Sequence, residues 1–390
     1  MAGREGKMAA NEMVTGTTDA ARLDAAIDAA LAEERVVGGV VQVSRGGEPA
    51  YERAFGLADR EAGTPVTADT IFRLASVTKP VVSLTALRLI EQDEMSLDDP
   101  IHEWLPDFRP VGPDGQPATI LIRHLLTHTS GLSYAVADQG VSTGLAQPGL
   151  SMTDNLARLA ALPLPFMPGT SWAYGLSIDV LGAVIQKVTC GTLEEAVRDH
   201  VLRPLGLPAD AFVFALPEGT PNLAVPYVND DPRPHRMTGE ETVGAGNGDS
   251  GTTFDPARIF DAASFQSGGA GAASTGSVIH AILEAVRRDA EDGRGRLLSR
   301  AMAKALFESQ IGALLTEPGT AFSFAGAVVL DPKQVGSPVA PGTLRWGGVY
   351  GHNWFVDPTV GLTATILTNT IFEGMNGQLT VDIRNALYAR

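Results

Sequence analysis

Apolar residues recur at helical spacing near the start of the chain and through its middle. After Thr18, Leu23, Ile27 and Leu31 stand four residues apart, which predicts an amphipathic helix. Three later stretches show similar spacing and predict further helices, with apolar faces at Val81, Leu84, Leu87 and Ile90, at Ile122, Leu125 and Leu126, and at Ile178, Val180, Leu181, Val184 and Ile185. The middle of the chain is therefore predicted to be mainly helical.

Strand-like stretches lie at the two ends of the chain. Val40–Arg45 and Ala50–Phe55 are predicted to pair as a hairpin, because Gly46 and Gly47 between them can supply the positive φ angles of a tight turn. Toward the other end, residues typical of turns separate four more predicted strands, Phe322–Leu330, Thr343–Tyr350, Asn353–Val356 and Leu362–Thr368. A closing helix is predicted from about Asn376 to Tyr388.

These elements predict an α/β (α+β) fold with two lobes. Residues 18–75 and 295–390 should form one antiparallel sheet flanked by helices. Residues 76–294 should form an inserted, mainly helical lobe, with the active site at the boundary between the two. Residues 1–17 are predicted to be an N-terminal extension that need not be ordered. The stretch Gly244–Ser277 is rich in Gly, Ser, Ala and Asp, but its aromatic and aliphatic residues favour an ordered loop region over a disordered one.

Composition narrows the range of partners. The 390 residues carry a net charge of −16 and contain no basic cluster, which argues against nucleic acid as a partner. No apolar run approaches the ~18 residues that span a membrane, and the N-terminus lacks the apolar core of a secretion signal, so we expect a cytoplasmic protein. The single cysteine, Cys190, excludes an internal disulfide and is expected to be a small buried apolar residue.

The strongest candidate for chemistry is the pair Ser76 and Lys79. Three residues apart at the start of a predicted helix, they lie on one face, so the lysine amine can approach the serine hydroxyl. A serine needs a base to become a nucleophile, and a lysine can act as one only if its pKa is lowered. An isolated pattern of this kind more often marks a capping serine and a solvated lysine. However, none of the other four lysines follows a serine at this spacing, and Pro80 suits a first helical turn.

Two further segments could complete such a site. Tyr174, just before the predicted helix at Ile178, could relay protons, although on its own it is more simply a tyrosine at the edge of the core. In Trp346-Gly347-Gly348-Val349, two glycines within a strand indicate close approach of a ligand or of another backbone. A strand edge beside the nucleophile could offer the Val349 N–H to an oxyanion, with the second N–H coming from Ser76. The alternative is a bulge or a tight helix–sheet contact.

With these motifs in this order, the chain resembles the serine β-lactamases and penicillin-binding proteins, in which S-x-x-K is followed by a tyrosine or serine motif and then by K-T-G. The resemblance runs over nearly the whole chain and includes Leu125–Leu132 and Ser267–Gly271. It is strongest to the family VIII carboxylesterases, in which W-G-G stands where lactamases have K-T-G. It implies Ser76, Lys79 and Tyr174 as catalytic residues and Trp346, Gly347, Gly348 and Val349 as oxyanion- and substrate-binding residues.

Two departures from the lactamase motifs favour an esterase. Leu176 stands where class C enzymes have the Asn of Y-x-N, and Trp346 stands where they have the Lys of K-T-G. Both changes replace polar recognition by apolar contact, as an uncharged ester requires. We therefore expect hydrolysis of short-chain, uncharged, small-molecule esters through an acyl-enzyme, with no metal or cofactor. A β-lactamase, a D-aminopeptidase, an acyltransferase and a non-catalytic binding protein of the same fold are the rivals, and the oligomeric state is not predicted.

The histidines and the remaining motifs do not change the predicted fold or activity. His124 and His128 have the spacing of a shared metal site but no third ligand nearby, so we expect His128 to lie near a helix C-terminus as a tolerated imidazolium. His352 is expected to cap a turn. No G-x-S-x-G, phosphate-binding loop or dinucleotide fingerprint occurs in the sequence.

Overall fold

The computed structural model describes residues 17–244 and 251–389. The predicted N-terminal extension therefore lies outside the described residues except for Thr17, which begins the first helix. The helices, numbered along the chain, are α1 (Thr17–Ala32), α2 (Thr78–Glu91), α3 (Ile122–Leu126), α4 (Met152–Ala160), α5 (Ser177–Thr189), α6 (Leu193–Val197), α7 (Arg203–Leu205), α8 (Gly276–Asp292), α9 (Arg300–Ala305), α10 (Pro332–Val335), α11 (Glu373–Asn376) and α12 (Gln378–Tyr388).

An antiparallel sheet of eight strands joins the two ends of the described chain. Its strands in spatial order, numbered along the chain, are β11 (Thr320–Phe322), β12 (Ala327–Val329), β13 (Leu344–Gly348), β14 (His352–Asp357), β15 (Leu362–Thr368), β1 (Gly38–Arg45), β2 (Glu48–Asp59) and β3 (Thr64–Pro65). The pairing of β1 with β15, in which Val41 faces Ile366, closes the N-terminal hairpin onto the C-terminal strands. The predicted hairpin and the predicted antiparallel sheet are thus confirmed.

Helices cover both faces of this sheet. On one face, α1 and α12 pack side by side and bury Leu23, Ile27 and Ile383 against Val41 and Phe355. On the other face, α8 packs against β1 and β15, and its apolar side continues into the core of the helical region. Since each face of the sheet is apolar, each must be covered by a helical layer to be removed from water.

The middle of the chain is mainly helical, as predicted, with α2 and α5 packed together at its centre. Short strands connect it to the rest: β4 (Ile71–Arg73), β5 (Phe212–Val213), β6 (Tyr227–Val228), β7 (His235–Arg236), β8 (Glu241–Val243), β9 (Thr252–Phe254) and β10 (Ala273–Thr275). The central strand of the small sheet β4-β10-β5 leads directly into α8, and β4 leads to Ser76. The predicted boundaries of the two lobes stay a prediction.

Two predicted features are wrong. Phe322–Leu330 is not one strand but the end of β11, a tight turn and β12, in which the Ser323 N–H donates to the Gly326 carbonyl at 2.8 Å. The turn is buried like the strands around it, and its apolar residues Phe324 and Ala325 made the stretch read as one continuous strand, although Ser323 and Gly326 mark the turn in the sequence. Cys190 is exposed, not buried, because it occupies the left-handed position (φ 52°) at the C-terminus of α5.

The glycine-rich stretch is ordered where the structure describes it. Between Gly251 and Ser277 the chain forms β9, a 3-10 helix at Pro256–Phe260, β10 and the start of α8. Phe254 and Phe265 are buried, as an ordered loop region requires. Residues 245–250 of the predicted loop lie outside the described residues.

Candidate active site

Ser76 lies on a single 3-10 turn, Ala75–Val77, that connects β4 to α2. Ala75 has a φ of 46°, a left-handed backbone conformation that a residue with a side chain rarely adopts. This conformation turns the chain sharply out of the strand, so that Ser76 stands at the start of the helix. His352 supports the turn from beneath, since its Nε2 lies 2.8 Å from the Arg73 carbonyl oxygen. The predicted helix start is confirmed, and Pro80 lies in the first turn of α2.

Lys79 is the centre of the hydrogen bonds around Ser76. Its Nζ donates to Ser76 Oγ at 3.1 Å, to the Tyr134 hydroxyl at 3.0 Å and to the Gly269 carbonyl at 2.7 Å. The side chain is almost completely buried. Burial alone would lower the pKa of Lys79, but the oxygens of Tyr134, Tyr174 and Asp179 outweigh it and raise the pKa. The lowered pKa expected of a lysine base is therefore absent, and Lys79 rests as an ammonium.

Two tyrosines, Tyr134 and Tyr174, face Lys79 from neighbouring segments. A β-bridge between Ser133 and Gly175 holds these segments together, and the two rings meet edge to face at 5.4 Å. Tyr134 accepts the hydrogen bond from Lys79, whereas the Tyr174 ring lies 4.7 Å from Lys79 Nζ. Burial raises the pKa of Tyr134, so its phenol rests neutral. The sequence analysis missed Tyr134, because its contact with Lys79 spans 55 residues and no local spacing signals it.

The Tyr174 hydroxyl is held by Trp346. The indole Nε1–H of Trp346 donates to the tyrosine oxygen at 2.9 Å, and the two rings pack at 4.8 Å. Trp172 and Phe322 extend this aromatic cluster. This hydrogen bond fixes the position of the Tyr174 oxygen, while the Tyr174 ring lies beside Lys79. Trp346 is thus a polar partner of Tyr174 as well as an apolar surface.

The end of β13 lies against the turn that carries Ser76. A Cβ placed on Gly348 would lie 2.5 Å from the Leu74 carbonyl oxygen, and one on Gly347 would lie 2.8 Å from the His352 carbonyl oxygen. The two glycines therefore allow close backbone approach, as predicted. Within the described part of the chain, neither the Ser76 N–H nor the Val349 N–H donates a hydrogen bond to another protein group. Both remain available to an oxygen bound between them.

A buried carboxylate, Asp179, lies behind Lys79. Its Oδ1 accepts hydrogen bonds from Ser267 Oγ and, at 3.2 Å, from the Gly269 N–H, while Gly269 in turn binds Lys79 through its carbonyl. Burial raises the pKa of Asp179, and Lys79, the next largest influence, opposes that rise. Asp179 and Lys79 thus place opposite charges near each other beneath Ser76. The sequence signal for Asp179 was an acidic residue on the apolar face of a predicted helix.

Three expectations need correction. Burial and the charge of Lys79 hold the pKa of His128 well below its ordinary value, so it is a neutral imidazole and not an imidazolium. Its Nδ1 accepts the Gly175 N–H at 3.3 Å. His352 does not cap a turn of its own segment; it is fully buried, and its Nε2 contacts the Arg73 carbonyl oxygen that precedes the turn of Ser76. Leu176 is completely buried in the core, so its isobutyl group does not face a substrate.

The structure brings the predicted site residues together. Ser76, Lys79, Tyr174 and Trp346 form an uninterrupted series of contacts, and Gly348 sets Val349 beside the turn of Ser76. Such a set offers a nucleophile, an ammonium, phenols and two free N–H donors. Groups of these kinds can carry out acyl transfer through a serine ester.

Comparisons with known proteins show what the chain as a whole is similar to. The chain is 46% identical over 383 residues to Esterase EstB of Burkholderia gladioli, with 95% of each chain covered. It superposes on the structure of EstCE1, described as a hydrolase with promiscuous acyltransferase activity, with a TM-score of 0.89 at 36% identity, covering 96% of this chain and 99% of that one.

A mutant of the simvastatin synthase LovD from Aspergillus terreus shares the fold, with a TM-score of 0.73 at 22% identity over 97% of this chain and 99% of that one. Residues 23–385 match the family described as Beta-lactamase. With its antiparallel sheet, its helical layers and a Ser–Lys pair at the start of a central helix, the chain belongs to the β-lactamase family of serine enzymes.

Proposed function

We propose that this protein is a serine carboxylesterase of the family VIII type, which hydrolyses short-chain, uncharged esters through an acyl-enzyme on Ser76. The observation that carries the proposal is the hydrogen bond between Trp346 Nε1 and the Tyr174 hydroxyl. Where K-T-G has a lysine, this chain has the neutral indole N–H of Trp346, which donates to the tyrosine oxygen. It offers no cation to a substrate carboxylate. The relationship to Esterase EstB supports the same activity.

In the first step, Ser76 Oγ attacks the ester carbonyl and its proton passes to the group formed by Lys79 and Tyr174. The Lys79 ammonium, 3.1 Å from Ser76 Oγ, stabilises the developing alkoxide. The proposed acceptor of that proton is the Tyr174 oxygen, acting as phenolate, which Trp346 Nε1 contacts and whose ring lies beside Lys79 Nζ.

The tetrahedral intermediate carries its negative charge on the former carbonyl oxygen. The N–H groups of Ser76 and Val349 are the proposed donors to this oxygen, and one such donor typically contributes ~3 kcal/mol to the transition state. The alcohol leaves after accepting a proton from Tyr174, and water then releases the acid by the same steps. Protein groups and water supply every step of this scheme.

Selectivity for uncharged esters follows from Trp346. A penicillin brings a carboxylate into the site, and a charge that loses water without gaining a partner costs several kcal/mol. Arg345, the neighbouring cation on β13, points to the opposite face of the strand from Trp346, where the charges of Glu317 and Arg384 lie near it. A simple ester brings no such charge.

The test is a comparison of kcat/KM for p-nitrophenyl acetate and butyrate with that for nitrocefin and benzylpenicillin. We expect the esters to be turned over much faster, and equal efficiency with benzylpenicillin would contradict the proposal. Ser76→Ala should lower ester turnover by several orders of magnitude with the fold intact. A phosphonate or sulfonyl fluoride should label wild-type protein on the peptide that contains Ser76, and label elsewhere would overturn the assignment.

Acyl transfer to an alcohol is the second candidate, favoured by the activity named for EstCE1. It shares the acyl-enzyme and differs only in the acceptor. Product analysis with p-nitrophenyl butyrate and a competing alcohol separates the two: an ester product that dominates over butyrate at low alcohol concentration would indicate a transferase.

A further inference from the structure

We propose that His128 is a positioning residue, which fixes Tyr174 for proton transfer by holding the residues on either side of it. This role rests on the proposed function, in which Tyr174 exchanges protons with Ser76 and with the leaving alcohol. His128 follows α3 by one residue, and its side chain is only 1% exposed. It therefore acts on Tyr174 from within the protein.

His128 occupies a position at the end of α3 where glycine is the usual residue. The His128 N–H donates to the Leu125 carbonyl at 3.3 Å, and the Thr129 N–H donates to the His124 carbonyl at 3.0 Å. Two hydrogen bonds of this pattern end a helix when the residue after its cap is left-handed, and His128 has a φ of 57°. Glycine adopts this conformation without steric cost. The histidine is therefore explained by what its side chain does and not by the helix end.

Two hydrogen bonds join His128 to the residues immediately before and after Tyr174. The Ala173 N–H donates to the His128 carbonyl at 3.1 Å, and the Gly175 N–H donates to His128 Nδ1 at 3.3 Å. Between these two bonds, the imidazole and the phenol ring lie 4.7 Å apart. The first bond uses the backbone alone, whereas the second requires the imidazole. The side chain of His128 thus completes a pair of attachments on either side of the tyrosine.

The segment of Tyr174 is also attached to the chain around Tyr134. The Leu176 N–H donates to the Leu132 carbonyl at 2.8 Å, and the Tyr134 N–H donates to the Tyr174 carbonyl at 3.3 Å. These bonds do not involve His128. Loss of the imidazole bond would therefore loosen the segment on one side and leave it attached on the other, so that Tyr174 shifts while the fold survives.

The hydrogen bond from Gly175 requires a neutral imidazole, because a protonated ring carries an N–H at both nitrogens and cannot accept. Burial and the charge of Lys79 hold the pKa of His128 well below its ordinary value, which leaves Nδ1 free to accept. The titratable groups around the ring are Lys79, on α2, and Tyr174, while Phe322 of β11 contacts it as an uncharged ring. The surroundings of His128 thus favour the form that can hold Gly175.

The variants His128→Asn and His128→Gly test this role in the turnover of p-nitrophenyl butyrate. Both replacements suit a left-handed residue and both lose the imidazole ring, but only the asparagine carboxamide oxygen can accept from the Gly175 N–H. We expect His128→Gly to lower kcat about 10- to 100-fold with KM changed less than about threefold, because a displaced proton-transfer group slows the chemical step. His128→Asn should recover most of that loss. Equal kcat in the two variants, or a loss confined to KM, would overturn the proposal.

A double variant shows whether His128 acts through Tyr174. In a Tyr174→Phe background, His128→Gly should cause little further loss of kcat, because the hydroxyl that His128 positions is already absent. Losses that add in full would mean that His128 supports the fold in general, and the proposal would be wrong.

Hydrogen exchange gives a readout that does not depend on catalysis. The peptide that contains residues 172–176 should exchange faster in His128→Gly and at nearly the wild-type rate in His128→Asn, because only the first lacks an acceptor for Gly175. If His128→Gly does not fold, His128→Ala removes the same acceptor and replaces it in every comparison. Unchanged exchange in the variant without an acceptor would contradict the proposal. Wild-type protein without ester turnover would instead contradict the proposed function, and the exchange rates would still decide whether His128 holds this segment.

Discussion

At the residue scale, the hydrogen bond from Trp346 to Tyr174 gives this tryptophan a polar role that its sequence position did not predict. From sequence, Trp346 is an apolar replacement for a lysine, and that substitution removes a cation. In the structure its indole N–H still donates to the tyrosine, at 2.9 Å. The substitution therefore removes the charge that would bind a substrate carboxylate and keeps a donor for the tyrosine oxygen.

Trp346→Phe should lower kcat about 10- to 100-fold with little change in KM, because a hydrogen bond to a charged group contributes about 1.5–3 kcal/mol. Phenylalanine preserves most of the aromatic packing. Tyr174→Phe should cost more, and the double variant should be no worse than Tyr174→Phe alone, since the two side chains act through one oxygen. Additive losses in steady-state kinetics would show that Trp346 acts independently of Tyr174.

Asp179→Asn tests whether Lys79 works as an ammonium. Asparagine can still accept from Ser267 and Gly269, but the negative charge that favours the ammonium is lost, so the pKa of Lys79 should fall. The alkaline limb of the pH profile of kcat/KM should consequently move to lower pH. A variant whose acid limb moves instead, with the alkaline limb unchanged, would indicate that neutral Lys79 is the active form.

At the scale of elements, the site depends on how closely β13 approaches the turn of Ser76. The turn follows β4, the glycines end β13, and the two N–H donors come from these separate elements. Gly348 is the point of contact, because a Cβ there would lie 2.5 Å from the Leu74 carbonyl oxygen. The spacing of the proposed oxyanion donors is thus a property of strand packing and not of any one side chain.

Gly348→Ala should push β13 away from the turn and lower kcat about 100-fold or more, which corresponds to the loss of one oxyanion donor. Gly347→Ala is the matched control, because its added Cβ would meet the His352 carbonyl and the flexible side chain of Met375 instead of the turn. It should reduce the melting temperature with a much smaller effect on kcat. Equal kcat losses in the two variants would contradict this account.

At the scale of the whole molecule, buried neutral histidines make folding sensitive to acid. Burial lowers the pKa of His280 and of His352 to about 4. In the unfolded chain these histidines titrate near 6.5, so below that pH the unfolded state takes up protons that the folded state refuses. Their contribution to stability is complete above pH 6.5 and is lost as the pH falls toward 4.

Urea unfolding should therefore give a free energy about 2 kcal/mol lower per histidine at pH 5 than at pH 7. His280→Gln should flatten this pH dependence by the share of one histidine, whatever its effect on stability at pH 7. Carboxylates also make the free energy of unfolding depend on pH, in the wild type and in the variant alike. The test is therefore the difference between the two pH dependences. An identical slope in wild type and variant would show that His280 is not held neutral.

Local patterns in the sequence were sufficient for most of the elements and for the proximity of Ser76 and Lys79. The N-terminal helix, the hairpin and the helix of Ser76 are confirmed because their signals, apolar period, paired glycines and an early proline, act within a few residues. The same holds for Ser76 and Lys79, because a spacing of three residues across the 3-10 turn and the start of α2 allows Lys79 Nζ to lie 3.1 Å from Ser76 Oγ.

Only the tertiary structure decided which groups surround that pair. Tyr134 and Lys79 are hydrogen-bonded across 55 residues of sequence, and Asp179, hydrogen-bonded to Gly269, favours the charged form of Lys79. Leu176 is buried in the core. Each of these contacts joins distant segments. The rise in the pKa of Lys79 followed from these contacts, because electrostatic energy depends on distance in space and on burial. For the same reason, local patterns along the chain could not reveal how these groups are arranged around Lys79.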